Sequence, residues 1–147
     1  MTLRTILIAE DNEDDVLLLK RAFDRARLNI QIQFVADGEE AIAYMQGTGR
    51  FSKRNDFPIP QLIVTDLKMP KVNGFGFLSW LRERLETECT PVVVLTSSLD
   101  RNDVTQAYKM GANSFITKPH MTRDLDELVQ TLHRYWVKFN RVPDTCI

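Results

Sequence analysis

The chain has 147 residues, of which 44% are hydrophobic and 27% charged, and a formal net charge of −1. That length suits one domain with a sizeable core, and the near-neutral balance excludes a strong electrostatic pull toward nucleic acid. No apolar run approaches the roughly eighteen residues of a membrane helix, and none precedes a small-residue cleavage site, so the expectation is a cytoplasmic protein with no membrane segment.

In chain order, Thr5 to Ala9 read as a strand, an apolar run closing on Glu10-Asp11. Glu10 to Asp15 form an acidic turn before a helix over Val16 to Arg27, whose acidic start suits the helix dipole. Leu17, Leu18, Ala22 and Phe23 give that helix its apolar side. Ile30 to Ala36 alternate, with Ile30, Ile32 and Phe34 against Gln31 and Gln33, which is a half-buried strand. Asp37-Gly38 is a turn. Glu39 to Gln46 make a short helix with Ala41, Ile42 and Met45 inward, ended by Gly47-Thr48-Gly49. Residues 47–60 form one long irregular stretch, basic, with two aromatics and two prolines. Loops of this length inside compact domains are often functional.

Leu62 to Val64 read as a strand buried on both faces. Pro70 disfavours helix at Met69, so Asp66 sits where this strand gives way to a loop. Gly74 to Leu85 form a helix with Phe75, Leu78, Leu81 and Leu85 on one side. Pro91 opens a strand, Val92 to Leu95, that closes on Thr96-Ser97-Ser98. Asp100 caps a helix with Val104, Ala107 and Tyr108 behind it, and Gly111 stops it. Asn113 to Thr117 are a weaker strand ending in Lys118-Pro119. The last helix runs from Arg123 to Phe139, with Leu125, Leu128, Val129, Leu132, Trp136 and Phe139 at helical spacing. Val142 to Ile147 form a short tail, so the expected division is a single domain over 1–147 with its core at about 4–141. Cys89 and Cys146 lie far apart without metal-type spacing and read as free thiols in a reducing cytosol.

Alternation of strand and helix implies a parallel sheet with helices on both faces. Five strands and five helices match the α/β flavodoxin-like, doubly wound plan with strand order 2-1-3-4-5. In such sheets ligands bind outside the carboxyl ends of the strands. There the first, third, fourth and fifth strands would bring Glu10, Asp11, Asp66, Thr96 and Lys118 to one rim. Three close carboxylates repel one another, and a divalent cation relieves this. Oxygen-only ligands favour a hard ion such as Mg²⁺. Lys118 supplies a compact positive charge for a phosphate oxygen, and the Thr96 hydroxyl can donate to another. A carboxylate can itself attack phosphorus to give an aspartyl phosphate, with catalysis by charge neutralisation and positioning. The set suits reversible phosphorylation of Asp66.

Glu10-Asp11, Asp66, Thr96 and Lys118-Pro119, at these spacings and over nearly the whole chain, resemble the signature of two-component response-regulator receiver domains, the CheY-like family. The resemblance implies that Asp66 is the phosphoacceptor for a sensor histidine kinase. It implies that Asp11 and Asp66 bind Mg²⁺ with the Lys68 backbone carbonyl, Glu10 helping through water. It makes Thr96 and Phe115 the switch pair and Lys118 the phosphoryl contact, and implies a cis peptide at Lys118-Pro119. Glu10 stands where Asp is common, and Phe115 where Tyr is common, so no phenol can hydrogen-bond when the ring turns inward. The extra residues before the third strand and the Trp-containing last helix ending in Val-Pro resemble the small regulators of bacterial phytochrome histidine kinases.

Rival classes fit less well. A flavin-binding protein needs a phosphate cradle after the first strand, and Glu10 to Asp15 repel phosphate. A metal-dependent nuclease wants a second acid near Asp66, where Lys68 stands. A pseudo-receiver acting only as a binding module would be expected to lack Asp66, Thr96 or Lys118. His120 and His133 are too scattered for zinc, and Met69 and Met110 read as packing. The product of phosphorylation would be a changed surface for a downstream protein. Tyr135, Trp136, Val137 and Phe139 point a helix in several directions. Since one face suffices to cover the sheet, a homodimer through Tyr135, Trp136 and Phe139 is expected, with the tail and neighbouring residues of the fourth helix and fifth strand.

Overall fold

The structure is a computed structural model, and it describes residues 3–143. Five strands, β1 (Arg4–Ala9), β2 (Ile30–Val35), β3 (Leu62–Thr65), β4 (Val92–Thr96) and β5 (Ser114–Thr117), alternate with α1 (Glu13–Ala26), α2 (Gly38–Gln46), α3 (Gly74–Arg82), α4 (Arg101–Lys109) and α5 (Thr122–Leu132). All pairings are parallel, in the order β2-β1-β3-β4-β5. This is the flavodoxin-like plan read from the sequence.

Strand periodicity splits the core into two layers. Leu7, Ala9, Ile63, Val92 and Val94 face α2, α3 and α4, where Tyr44, Phe77, Leu78, Leu81 and Ala107 are buried. Ile6, Ile8, Leu62, Val64, Val93 and Leu95 face α1 and α5, against Leu19, Ala22, Phe23, Leu125, Val129 and Leu132. With both faces covered, β3 is buried throughout.

Several local expectations are corrected. Of the acidic run, Glu13, Asp14 and Asp15 are not a turn before α1 but its first turn. Asn12 is the N-cap, accepting from the Asp15 amide at 3.0 Å. That sets the helix phase so that Leu19, Ala22 and Phe23 face the core while Leu17 and Leu18 are exposed. On α4, Ala107 is buried and Tyr108 exposed. Helix α3 stops at Arg82, and Leu85 lies exposed beyond it. The cause is the Arg82 guanidinium, which donates to the carbonyls of Thr87, Glu88, Thr90 and Gly111 and to the Asn113 side chain. The Thr87 hydroxyl donates back to Leu81 O at 2.7 Å, so the chain curls around the guanidinium instead of continuing the helix.

The last helix changes pitch. After Leu132 it continues as a π-helical segment, His133–Phe139. Val137, five residues beyond Leu132, takes the buried position that α spacing gives to Trp136, which is half-buried. The Asn140 amide donates to Tyr135 O at 2.7 Å, a five-residue reach, and the Arg4 side chain caps Val137 O.

Residues 47–60 are more ordered than their composition suggested. Gly49–Phe51 form a 3₁₀ turn. Phe51, Phe57 and Tyr44 make an aromatic cluster with ring centroids 5.1–6.0 Å apart. Arg54 donates to the Tyr44, Met45 and Phe57 carbonyls, closing the end of α2. Cys89 is disulfide-bonded rather than free, at odds with the reading of two free thiols. Spacing along the chain excluded a metal knuckle but not a crosslink. Cys146 and most of the 142–147 tail lie outside the described residues. No helix among the described residues is long and apolar enough to cross a membrane.

Candidate functional site

The carboxyl ends of β1, β3, β4 and β5 form one rim. Asp66 follows β3 and is buried, with its amide donating to Ala9 O of β1 at 3.0 Å. One carboxylate oxygen accepts the Leu67 amide at 2.6 Å, and the other takes the Lys118 ammonium at 2.7 Å. Thr96 closes β4 at the same rim, and its hydroxyl oxygen accepts the Ser98 amide at 3.4 Å. Lys118 is placed by its amide, which donates to Thr96 O at 2.8 Å. From there its Nζ lies 2.5 Å from Glu10 and 2.7 Å from each of Asp15 and Asp66.

Gly74 fixes the loop after Asp66. Its amide donates to Leu67 O at 2.9 Å, and a Cβ there would stand 2.2 Å from the Asp66 carbonyl oxygen. No residue but glycine allows this approach of α3 to the strand end.

Burial and pairing set the protonation. Burial pushes Glu10 up to about 7, helped by the Asp66 charge and opposed by Lys118. Burial also acts to raise Asp66, but the Lys118 ammonium bonded to it and the nearby Thr96 hydroxyl outweigh burial and hold the carboxyl below its usual range. Burial acts to lower Lys118, but its bonds to Asp15, Asp66 and Glu10 win, so the ammonium is held above the usual lysine range.

Glu10, Asp11 and Asp66 each offer one oxygen, all within 4.8 Å of one another. An all-oxygen acidic set of this kind fits a hard divalent cation. Asp11 is exposed, so it can turn toward an ion, while Glu10 and Asp66 are buried. A cleft of about 570 Å³ opens beside Glu10 and Asp11, with Lys20, Phe34, Glu40 and Arg50 on its other walls. Arg50, from the 47–60 stretch, pairs with Glu40 at 2.8 Å, which brings that stretch to the edge of the site.

The structure thus brings together Glu10, Asp11, Asp66, Thr96 and Lys118. Lys68 lies in the loop two residues past Asp66 with its side chain exposed. Phe115, opposite Val94 on β5, is half-buried against the α2–α4 side of the core. Tyr135 and Phe139 are exposed. The expected cis bond is absent: Lys118-Pro119 is trans. Trans is the form favoured before proline, by about 0.5–1 kcal/mol. Sequence reasoning missed Asp15. It was hidden in the acidic run, and the signal that could have found it is its place in the first turn of α1, on the side facing the rim.

The model of the response regulator receiver domain matches residues 6–130, and the chain belongs to that family. Among curated proteins it is 35% identical over 141 residues, 94% of this chain and 86% of the other, to a probable methanogenesis regulatory protein, FilR2, of Methanothrix harundinacea. Among solved structures it resembles RPA3017, a response regulator in red light signalling of R. palustris, with a TM-score of 0.89 and 33% identity, covering 96% of this chain and 99% of that one. The phosphorylated cyanobacterial phytochrome response regulator RcpA gives 0.86 at 28% identity, covering 97% and 99%. The Mn²⁺-bound form of the response regulator Rcp1, a Synechocystis protein, gives 0.82 at 29%, covering 95% and 99%. The chain is therefore a receiver-domain response regulator related to those of phytochromes.

Proposed function

We propose that the chain, as a single receiver domain over 1–147, takes a phosphoryl group onto Asp66 from a sensor histidine kinase. The observation that carries this reading is the surroundings of Asp66: one buried carboxylate at the end of the central strand, within 2.7 Å of an ammonium and beside two further acids. A carboxylate oxygen attacks phosphorus, the P–N bond of the phosphohistidine breaks, and the histidine nitrogen leaves with the electron pair. Lys118 neutralises one phosphoryl oxygen and Thr96 donates to another. Glu10, Asp11 and Asp66, with the Lys68 carbonyl, would hold Mg²⁺, which when bound supplies charge neutralisation at the phosphoryl oxygens. The Mn²⁺-bound relative supports a divalent ion in such a site.

Once formed, the phosphoryl group draws Thr96 toward it, and Phe115 turns into the space behind. That is a shift between two states, bounded by the group's differential affinity for them. The output is a changed surface that a downstream protein reads, not turnover of a separate substrate. The red-light and phytochrome relatives point to a phytochrome kinase as the donor. We place the protein in the cytoplasm, where the Cys89 crosslink would be reduced. It acts as a homodimer through the exposed rings of Tyr135 and Phe139 beside Trp136.

Intact mass after incubation with acetyl phosphate tests the assignment. One phosphoryl group is expected with Mg²⁺, none with a chelator, and none in Asp66→Asn. Equal uptake by Asp66→Asn would sink it.

A further inference from the structure

We infer that Asp15 is a positioning residue that takes over the Lys118 ammonium when Glu10 and Asp66 turn to a divalent cation. An ammonium has three N–H donors, and Lys118 faces three carboxylates, on Glu10, Asp15 and Asp66. Two of these, Glu10 and Asp66, also belong to the trio suited to a metal; Asp15 does not. The same two carboxylates therefore serve both cations. Ammonium and metal repel, and any hold of Lys118 on Glu10 and Asp66 must be loosened as they become ligands.

Asp15 resolves the conflict by position. It sits in the first turn of α1, fixed by the bond from its own amide to the Asn12 side chain at 3.0 Å. Its carboxylate is one-third exposed and Lys118 largely covered, with 32% and 13% of the side chains accessible. The ammonium can thus keep a close partner on the solvent side while it gives up the two inner ones. It stays beside Asp66, where a phosphoryl oxygen arrives, instead of leaving the rim. Removing the Asp15 charge leaves Lys118 dependent on Glu10 and Asp66, so that a metal must compete with the ammonium for both.

The test is a double-mutant cycle read by Mn²⁺ affinity, with free Mn²⁺ measured by electron paramagnetic resonance. Asp15→Asn is expected to weaken Mn²⁺ binding about tenfold in the wild-type background, a coupling within the range for directly contacting charges. In a Lys118→Met background the same change is expected to cost less than about twofold, because no ammonium remains to be held. Asp15→Glu, which keeps the charge, should restore most of the affinity. Equal weakening in both backgrounds would show that Asp15 acts as a bulk negative charge, and no weakening in either would show that it does nothing for the site; either result overturns the inference. Circular dichroism of the metal-free variants separates loss of fold from loss of affinity. The inference rests on the phosphoacceptor reading for the arriving phosphoryl oxygen alone. Mn²⁺ binding is measured on the unphosphorylated protein and needs no phosphoryl donor, so the mass test and this one fail independently.

Discussion

Leu132 and Val137 are buried in the same core layer five residues apart, and the π-helical turn between them is what makes that spacing possible. The change of pitch rotates the segment, leaving Tyr135 and Phe139 exposed and stacking the Tyr135 ring edge-on to Trp136 at 4.8 Å. Two predictions follow from this pair. Val137→Ala should lower stability by about 2 kcal/mol, the scale of a large-to-small core change, as read by urea unfolding. Tyr135→Ser with Phe139→Ser should leave stability nearly unchanged but weaken self-association at least tenfold in sedimentation equilibrium. If wild type is already monomeric at tens of micromolar, the dimer does not form through this surface.

Lys118 is the cation closest to three carboxylates, so its loss should be felt before any phosphoryl group is present. Breaking a largely buried charge cluster by removing one partner costs on the order of 3 kcal/mol. Lys118→Ala should therefore melt several degrees lower than wild type in chelator. Mg²⁺ should recover much of the loss, since a divalent ion can neutralise Glu10 and Asp66 in its place. Phosphorylation-dependent partner binding should not recover. Normal melting in chelator would mean the ion pairs contribute nothing.

Glu10 gives the metal-free protein a pH dependence of definite sign. Its folded value is about 7 against an ordinary 4.5. The stability it contributes is thus fully present below about 4.5 and lost as pH rises through about 7. Glu10→Gln cannot ionise. The stability of wild type relative to Glu10→Gln should accordingly fall between about pH 5 and pH 8. Parallel curves of unfolding free energy against pH would refute the burial argument. Mn²⁺ affinity of wild type should rise over the same window, because the ionised form is the ligand, and Glu10→Gln should flatten it.

Gly74 tests how tightly α3 is set against the site. An added methyl group would collide with the Asp66 carbonyl and the Leu67 backbone, both fixed in the central strand's exit. Gly74→Ala should slow phosphoryl uptake from acetyl phosphate at least tenfold while leaving helix content near normal by circular dichroism. Uptake at the wild-type rate would show that the loop yields without moving Asp66.

What could be read from the sequence was what strand periodicity and chemistry state locally. The apolar runs ending at Glu10, Asp66, Thr96 and Lys118 gave the strand order and the rim, because a parallel sheet has few ways to arrange them. What could not be read depended on contacts between distant segments. Leu85 continues the apolar spacing of α3, and nothing local says that Arg82 will draw the following carbonyls around itself. Trp136 fits α spacing, and the shift to Val137 becomes visible only beside the core it must fill. Asp15 looked like one more charge favouring a helix start until Lys118 was seen to reach it. The cis bond expected at Lys118-Pro119 came from the family resemblance alone and from no residue of this chain, and the bond is trans.

The Arg82 guanidinium holds Thr87, Glu88 and Thr90, just before β4, and Gly111 and Asn113, just before β5. Asn113 in turn accepts the first amide of β4 at 2.8 Å. The two strands that carry Thr96 and Phe115 are therefore pinned at their amino ends by Arg82, and at the rim they are tied through Lys118, whose ion pairs include Asp66 itself. Under the proposed phosphorylation of Asp66, this anchorage would act as a pivot, with displacement growing toward the strand tips and dying out toward Arg82. On that reading a partner that senses the change would touch the tip side of α4 and β5, and one seated at the Arg82 end would be deaf to it.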